Sequence, residues 1–375
     1  MIDTNLKDLA EKNEWFFEVI ETPIVQIRKP SNTLEEDIFY VIKNGETLIN
    51  NSPSSQLAGT KIAREKDFYD LYCITAYEIA ETFRCTIPCA TVLNAKGLVV
   101  TSNLEILSQS VYGQNMDVSL NLEQIKQNLD SSQVLPGTYV SLLSNHTLNY
   151  AHWLMDSLPK LALLESLSSD LNFIIPDGSP RSITEALNLL GIQEDQIVKI
   201  KEESIVVENL ILCHAAQNPG RPSKTHLLTT RNRLLASVAD RKSNQSTHRR
   251  IYISRSNSSR KIVNEAEILP ILKAYNFEII HCEELSFVEQ IEIFSEAQVV
   301  LGSHGAGIYN QIFCKPGAVI IEIYNKHYWY HSSWIVANLM EHIHWHIFGE
   351  NVDEDWQTWV DPLKLQKILS LALTH

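Results

Sequence analysis

Long apolar runs, paired cysteines and broad positive charge are all missing from this chain, and each absence removes a class of protein. No stretch approaches the ~20 consecutive apolar residues of a membrane-spanning helix, so no integral membrane segment is expected. The N-terminus, Met1-Ile2-Asp3-Thr4-Asn5-Leu6-Lys7-Asp8, lacks the basic-then-apolar order of a secretion signal. The six cysteines (Cys73, Cys85, Cys89, Cys213, Cys282 and Cys314) include no Cys-x-x-Cys, which points to reduced thiols in a cytoplasmic protein. In that compartment the sequons at Asn50, Asn145, Asn244 and Asn257 are chance matches. A net charge of −14 argues against general affinity for nucleic acid or anionic membrane, both of which need a broad basic face. Peripheral association with a membrane-linked substrate, from the soluble side, is left open. Repeats and low-complexity tracts are missing as well, and neither G-x-G-x-x-G nor G-K-[ST] occurs.

What is present is a soluble globular chain of 375 residues, long for one core, so two domains are expected. Residues 1–137 suggest a short helix around Leu6, Leu9 and Phe16, a hairpin from Asp37 to Asn50 turning at Asn44-Gly45, and strands from Cys73 to Ser102 turning at Asn94–Gly97. This part is β-rich and antiparallel, an elaboration of the first domain. From Thr138 strands alternate with helices: strands at 139–143, 172–175 and 205–213, and helices at 149–167 and 182–190, the second closed by Gly191. Asn218-Pro219-Gly220-Arg221-Pro222-Ser223 is a loop by every local rule and the expected boundary. A second alternating set follows, with strands at 250–254, 277–280, 298–301 and 318–323 and helices at 225–239, 264–275 and 286–297. Asn264 with Glu267, and Ser286 with Glu289, match capping-box spacing, and Pro270 predicts a kink or a late start. The expected division is 1–220, 221–349 and a final helix within 350–375 that packs back on the first domain.

A local charge opposite to that of the whole chain marks the second set. Arg241, Lys242, Arg249, Arg250, Arg255, Arg260 and Lys261 fall between residues 241 and 264 with no Asp or Glu among them. Arg255 and Arg260 flank a polar loop directly after a strand, at the sheet edge where α/β proteins bind ligands. Guanidinium forks suit phosphate oxygens, although a solvated basic loop is the alternative. Further on, the strand at 298–301 breaks into Gly302-Ser303-His304-Gly305-Ala306-Gly307. A glycine turn opening a helix aims backbone N–H groups and the helix dipole at one point, a common phosphate site. Ser303, His304, Gly305, Ala306 and Gly307 are therefore donor-binding candidates. Glu322, at the expected end of the next strand, is placed to accept from ribose hydroxyls, while Asn264 and Glu265 are most economically a helix cap and a first-turn acid. Together these residues suggest a nucleoside-diphosphate site.

Catalytic candidates lie elsewhere. His152 and Asp156 share one face if their segment is helical, and an imidazole oriented by a carboxylate is a standard general base. A decorative i,i+4 pair is the alternative, and Pro159 marks an irregular point beside it. His342-x-His344-x-His346 sets three imidazoles on one side of a strand, where aromatic packing with Trp345 is expected in preference to a metal site. Asp353-Glu354-Asp355 matches the D-x-D of metal-dependent sugar transferases, but its polar surroundings suggest a surface loop.

In order and spacing these segments resemble glycosyltransferase family 61, including bacterial polysaccharide enzymes. The resemblance runs through His152-Trp153-Leu154-Met155-Asp156 with Pro159, Tyr252-Ile253-Ser254-Arg255 with Arg260 and Asn264-Glu265, Phe277, and Leu285-Ser286-Phe287 with Glu289-Gln290. It continues through His304-Gly305-Ala306-Gly307-Ile308 with Asn310, and Val319-Ile320-Ile321-Glu322. It implies an α/β fold of GT-B type, two Rossmann-like domains facing a cleft, with the nucleotide-sugar held by the C-terminal one. The implied activity is inverting and metal-independent, with no cofactor. It moves a sugar from a nucleotide-sugar donor, UDP-linked by expectation, to a glycan or related hydroxyl acceptor. His152 and Asp156 would be catalytic, and Arg255, Arg260, Asn264, Glu265, Ser303–Gly307 and Glu322 would bind donor. A nucleotide-sugar epimerase or hydrolase, and a non-catalytic nucleotide- or carbohydrate-binding protein, are the alternatives. Acceptor choice falls to the first third, which resembles nothing recognised.

Overall fold

The computed structural model describes residues 6–21, 24–27, 32–33, 76–79, 82–93, 96–107, 110, 133–201, 204–215, 222–239, 248–258, 260–330 and 332–374. The hairpin expected around Asn44-Gly45 lies outside them. The protein is mixed α/β and divides into two compact units, residues 1–25 with 78–237 and residues 26–77 with 238–375. The helix Lys224–Ser237, expected beyond the boundary, belongs to the first unit, where Arg233 donates to the carbonyl of Leu161 at 3.0 Å.

Early strands are β1 (Phe17–Glu21), β2 (Ile24–Ile27), β3 (Asn32–Thr33), β4 (Ala76–Ile79), β5 (Thr82–Leu93), β6 (Leu98–Val100) and β7 (Ile106–Leu107). The alternating set adds β8 (Leu135–Ser141), β9 (Leu171–Pro176), β10 (Ile197–Ile200) and β11 (Ile205–His214). In the first unit's sheet the order is β10-β9-β8-β11-β5-β6-β7, with β1 also on β5. The four later strands are mutually parallel, and β5, β6, β7 and β1 extend them antiparallel. Part of the β-rich beginning thus continues this sheet, while β2 and β4 pair with each other in a separate two-stranded sheet and β3 joins β16. At the turn from β5 to β6, Gly97 has φ +81°, and a side chain there would begin 2.5 Å from Leu143 Cβ. The helix Leu6–Lys12 buries Leu6 and Leu9 in the same core as Ile87, Val99, Val207 and Leu210.

The second unit holds β12 (Arg249–Ile253), β13 (Phe277–Ile280), β14 (Ala297–Ser303), β15 (Val319–Asn325), β16 (Ile343–Asn351) and β17 (Thr358–Trp359). Their order is β13-β12-β14-β15-β16-β17, with β3 also on β16, and all are parallel except β17. Such strands are covered on both faces, so β15 reads Val-Ile-Ile-Glu-Ile-Tyr-Asn, without polar alternation, its acid and terminal Asn325 apart. The chain leaves β12 for β13 on one side and returns to β14 on the other. A topological switch point therefore opens between the carboxyl ends of β12 and β14.

Helix termini follow the sequence in part. Ser286 and Glu289 form a reciprocal capping box, with Ser286 N–H to Glu289 Oε2 at 2.8 Å and Glu289 N–H to Ser286 Oγ at 3.3 Å. Asn264 makes no side-chain cap; its amide instead pairs with the backbone of Val360, donating at 2.8 Å and accepting at 3.0 Å. Pro270 sits inside the helix Glu265–Ala274 without delaying its start. The last helix, Pro362–Ala372, begins on an Asp361 cap, and its Leu365, Ile368 and Leu369 enter the second unit's core beside Ile268 and Leu272. Its apolar stripe is buried in that core.

Candidate functional site

Within the first unit, the chain leaves the carboxyl end of β8 and enters a helical segment that changes pitch twice. Tyr150–His152 is α-helical, Trp153–Ser157 is π-helical, and Leu158–Leu163 is 3-10. Asn149 caps the start, accepting from the N–H groups of Ala151 and His152. Pro159 lacks an N–H and favours the change to 3-10 geometry. Single π turns recur at functional sites, and this one carries Asp156. His152 Nδ1 and Asp156 Oδ2 lie 2.7 Å apart, so the predicted pair is formed. The Asp156 side chain is 2% exposed and that of His152 30%, so the acid is internal and the imidazole accessible.

Three supports hold this segment that the sequence did not single out. Lys160, fully buried, donates to the carbonyl of Leu143 at 2.5 Å, and burial holds its ammonium down at about 8. Thr147 links the loop to the π turn, with its Oγ1 3.0 Å from Ser144 Oγ and 3.3 Å from Ser157 Oγ. The His146 ring lies 4.8 Å from that of His152, and burial together with His152 lowers its pKa, which favours a neutral neighbour.

The second unit assembles the donor candidates at the switch point. Arg255 follows β12, Ser303 ends β14, and His304 through Gly307 follow it. A Cβ built on Gly305 would lie 1.6 Å from Arg255 Nη1, so only glycine lets the guanidinium keep this position. Gly307 is similarly constrained, with Ile253 Cγ2 3.2 Å and Cys282 Sγ 3.5 Å from the position its Cβ would take. Burial first, then the charge of Arg260, lowers the pKa of Arg255, against the opposing charge of Glu283. Arg260 lies over the Tyr328 ring at 4.5 Å. The turn at Gly305 runs into the 3-10 helix Ala306–Phe313, whose N-terminal end faces this edge.

Glu322 differs from its expectation. Strand β15 continues to Asn325, so Glu322 lies inside the sheet and is fully buried. One oxygen lies 2.7 Å from His304 Nδ1; the other accepts from Ser333 Oγ and lies 3.3 Å from His344 Nε2. With both oxygens occupied it is not a ribose acceptor, and it orients His304 instead. Burial alone would raise its pKa, yet the bonds and charges of His304 and His344 outweigh burial and hold it well below the usual carboxylate range. Glu265 accepts from the hydroxyls of Tyr252 and Ser254, both at 2.8 Å. Asn264 is buried in its bridge to Val360, away from any ligand role.

Of the remaining histidines, His344 serves Glu322, and His346 is fully buried with a pKa driven well down by that burial and by His344. Asp353 spends its carboxylate on its own turn, accepting from the N–H groups of Asp355 and Gln357 at 3.0 and 3.1 Å. Among the described residues no group of three or more His, Cys, Asp or Glu is placed to hold a metal ion, and no helix is long and apolar enough to cross a membrane.

Comparison with known proteins bears on the same residues. The sequence model of the family described as Glycosyltransferase 61 matches residues 150–321, from the first catalytic candidate to the strand that carries Glu322. An EGF domain-specific O-linked N-acetylglucosamine transferase from Drosophila melanogaster is 35% identical over 77 residues, 20% of this chain and 15% of that protein. A protein O-linked-mannose beta-1,4-N-acetylglucosaminyltransferase 2 from Takifugu rubripes is 36% identical over 78 residues, 20% of this chain and 13% of that protein. This chain therefore matches well under a fifth of the length of these relatives. Among solved structures, the bacterial iron-containing dodecameric glycosyltransferase TibC of enterotoxigenic E. coli aligns with 68% of this chain and 71% of its own. Its identity is 9% and its TM-score 0.26, too low to carry an argument.

Proposed function

Since residues 150–321 belong to glycosyltransferase family 61, we propose that the chain transfers a glycosyl group from a nucleoside-diphosphate sugar, UDP-linked by expectation, to a hydroxyl of a glycan or related acceptor. The observation that carries this reading is the cradle at the switch point of the second sheet, where Arg255 lies against Gly305 beside the Glu322-oriented His304. Departure of a nucleoside diphosphate needs its growing negative charge stabilised. Two arginines, an imidazole and a helix N-terminus do that without a metal ion.

The other half of the chemistry falls to His152. With Nδ1–H donated to Asp156, Nε2 is left as the base. As the acceptor oxygen bonds to the anomeric carbon, its proton passes to Nε2, and the electrons of the breaking C–O bond pass to the diphosphate. Attack opposite the leaving group inverts the anomeric centre. The reading adopts a GT-B organisation from the family. Acceptor-dependent release of nucleotide from a UDP-sugar pool tests it. Release with no acceptor would mark a hydrolase, and binding without release a non-catalytic protein.

A further inference from the structure

Beyond the cradle, the carboxyl ends of β14, β15 and β16 carry aromatic groups in a row. His304 follows β14, Tyr328 follows β15 and Trp356 follows β16, and these strands are neighbours in the sheet. The Tyr328 ring lies 6.1 Å from that of His304, and Trp356 stacks on Tyr328 at 4.5 Å and 28°. Tyr330 stands edge-on to Tyr328 at 5.4 Å and lies 5.9 Å from His304. Arg260 covers Tyr328 as well. Trp356 and Tyr330 are 37% and 42% exposed, so both rings present surface at this edge.

The stack is also built at a cost. Trp356 has φ +56°, a left-handed conformation unusual for a bulky residue and common where a ligand is clamped. Asn325, buried at the end of β15, holds it there by donating to the carbonyls of Trp356 and Gln357, both at 3.1 Å, and to Thr358 Oγ1 at 3.0 Å. The oxygen of the same amide accepts from His327 N–H at 2.8 Å, so one side chain fastens the Tyr328 turn to the Trp356 turn. Asp353 closes the second turn from its other side.

We infer that this Tyr328–Trp356 stack, with Tyr330 beside it, is a platform for the planar base of a nucleoside diphosphate whose phosphates lie in the Arg255–His304 cradle. The inference rests on the donor-site reading above. It follows from the linear order along the sheet edge: anion cradle, then aromatic rings one and two strands away. Flat rings stack any base, so the platform supplies affinity, with little choice among bases.

The test is calorimetric titration of the full chain with UDP, GDP, ADP and inorganic pyrophosphate, followed by the tightest nucleotide and pyrophosphate against Trp356→Ala and Trp356→Phe. Trp356→Ala should weaken the nucleotide about tenfold or more, the scale of one lost base–aromatic stack, and leave pyrophosphate within about twofold. Trp356→Phe should keep most of the affinity, and in the wild type the nucleotide should quench fluorescence that Trp356→Phe no longer shows. Equal loss of nucleotide and pyrophosphate in Trp356→Ala, or no loss of either, would overturn the platform while the cradle stood. So would pyrophosphate binding with no gain from any base. If neither nucleotide nor pyrophosphate bound the wild type, the donor reading would fall and the platform with it.

Discussion

The His304 imidazole and the Glu322 carboxylate meet at 2.7 Å across the neighbouring strands β14 and β15, one at the mouth of the cradle and the other sealed in the sheet. The pair fixes which ring nitrogen faces the ligand. Because the folded pKa of Glu322 is depressed below its ordinary 4.5, its ionised form contributes stability that is fully present above pH 4.5 and is lost as pH falls further. Glu322→Gln should therefore lower the urea midpoint clearly at pH 7 and by a smaller margin at pH 3.5. An equal deficit at both pH values would show that the carboxylate's charge contributes nothing.

Arg255→Ala and Arg260→Ala should each weaken UDP binding by about tenfold or more, the scale of one charge-assisted hydrogen bond. Titration calorimetry reads this directly. Unchanged affinity in both variants would remove the anion cradle from the account.

Gly305→Ala separates folding from binding. A methyl group there would fall 1.6 Å from Arg255 Nη1, but that atom ends a flexible side chain and can move aside. The melting temperature should change little while UDP affinity falls as it does in Arg255→Ala, and the two substitutions together should cost little more than either alone.

Asn264→Ala should do the reverse. It strands the buried N–H and carbonyl of Val360, at about 1–3 kcal/mol for each group left unsatisfied, and so lowers the denaturation midpoint. Donor affinity of the protein that remains folded should be unchanged; a selective loss of affinity would return Asn264 to the donor site.

Much of this was legible in the sequence because it is local. The His152–Asp156 pair needs only four residues of helix, and the Ser286–Glu289 cap only three. The glycines after β14 announce a tight turn, and the apolar runs announce buried parallel strands. What stayed hidden depends on neighbours distant in the chain. Glu322 reads as a strand end until β15 runs on to Asn325, and its partners come from residues 304, 333 and 344. Asn264 has the spacing of a cap, yet its amide is taken by Val360, 96 residues away. The D-x-D reads as a surface loop and is a local turn at Asp353, while the partner of His344, Glu322, comes from a neighbouring strand. Tyr328 and Trp356 had no signal at all, since only the order of β14, β15 and β16 sets them in line.

The central claim is that His152, held by Asp156, takes the acceptor's proton while the second unit holds the donor. The direct measurement is nucleotide release from UDP-sugars with and without a glycan acceptor pool, comparing wild type with Asp156→Asn and calorimetric UDP binding in each. The account predicts acceptor-dependent release by the wild type, and in the variant a loss of ~10²-fold or more, the scale of general base catalysis, with UDP affinity within about twofold. Release at the wild-type rate by Asp156→Asn would contradict it.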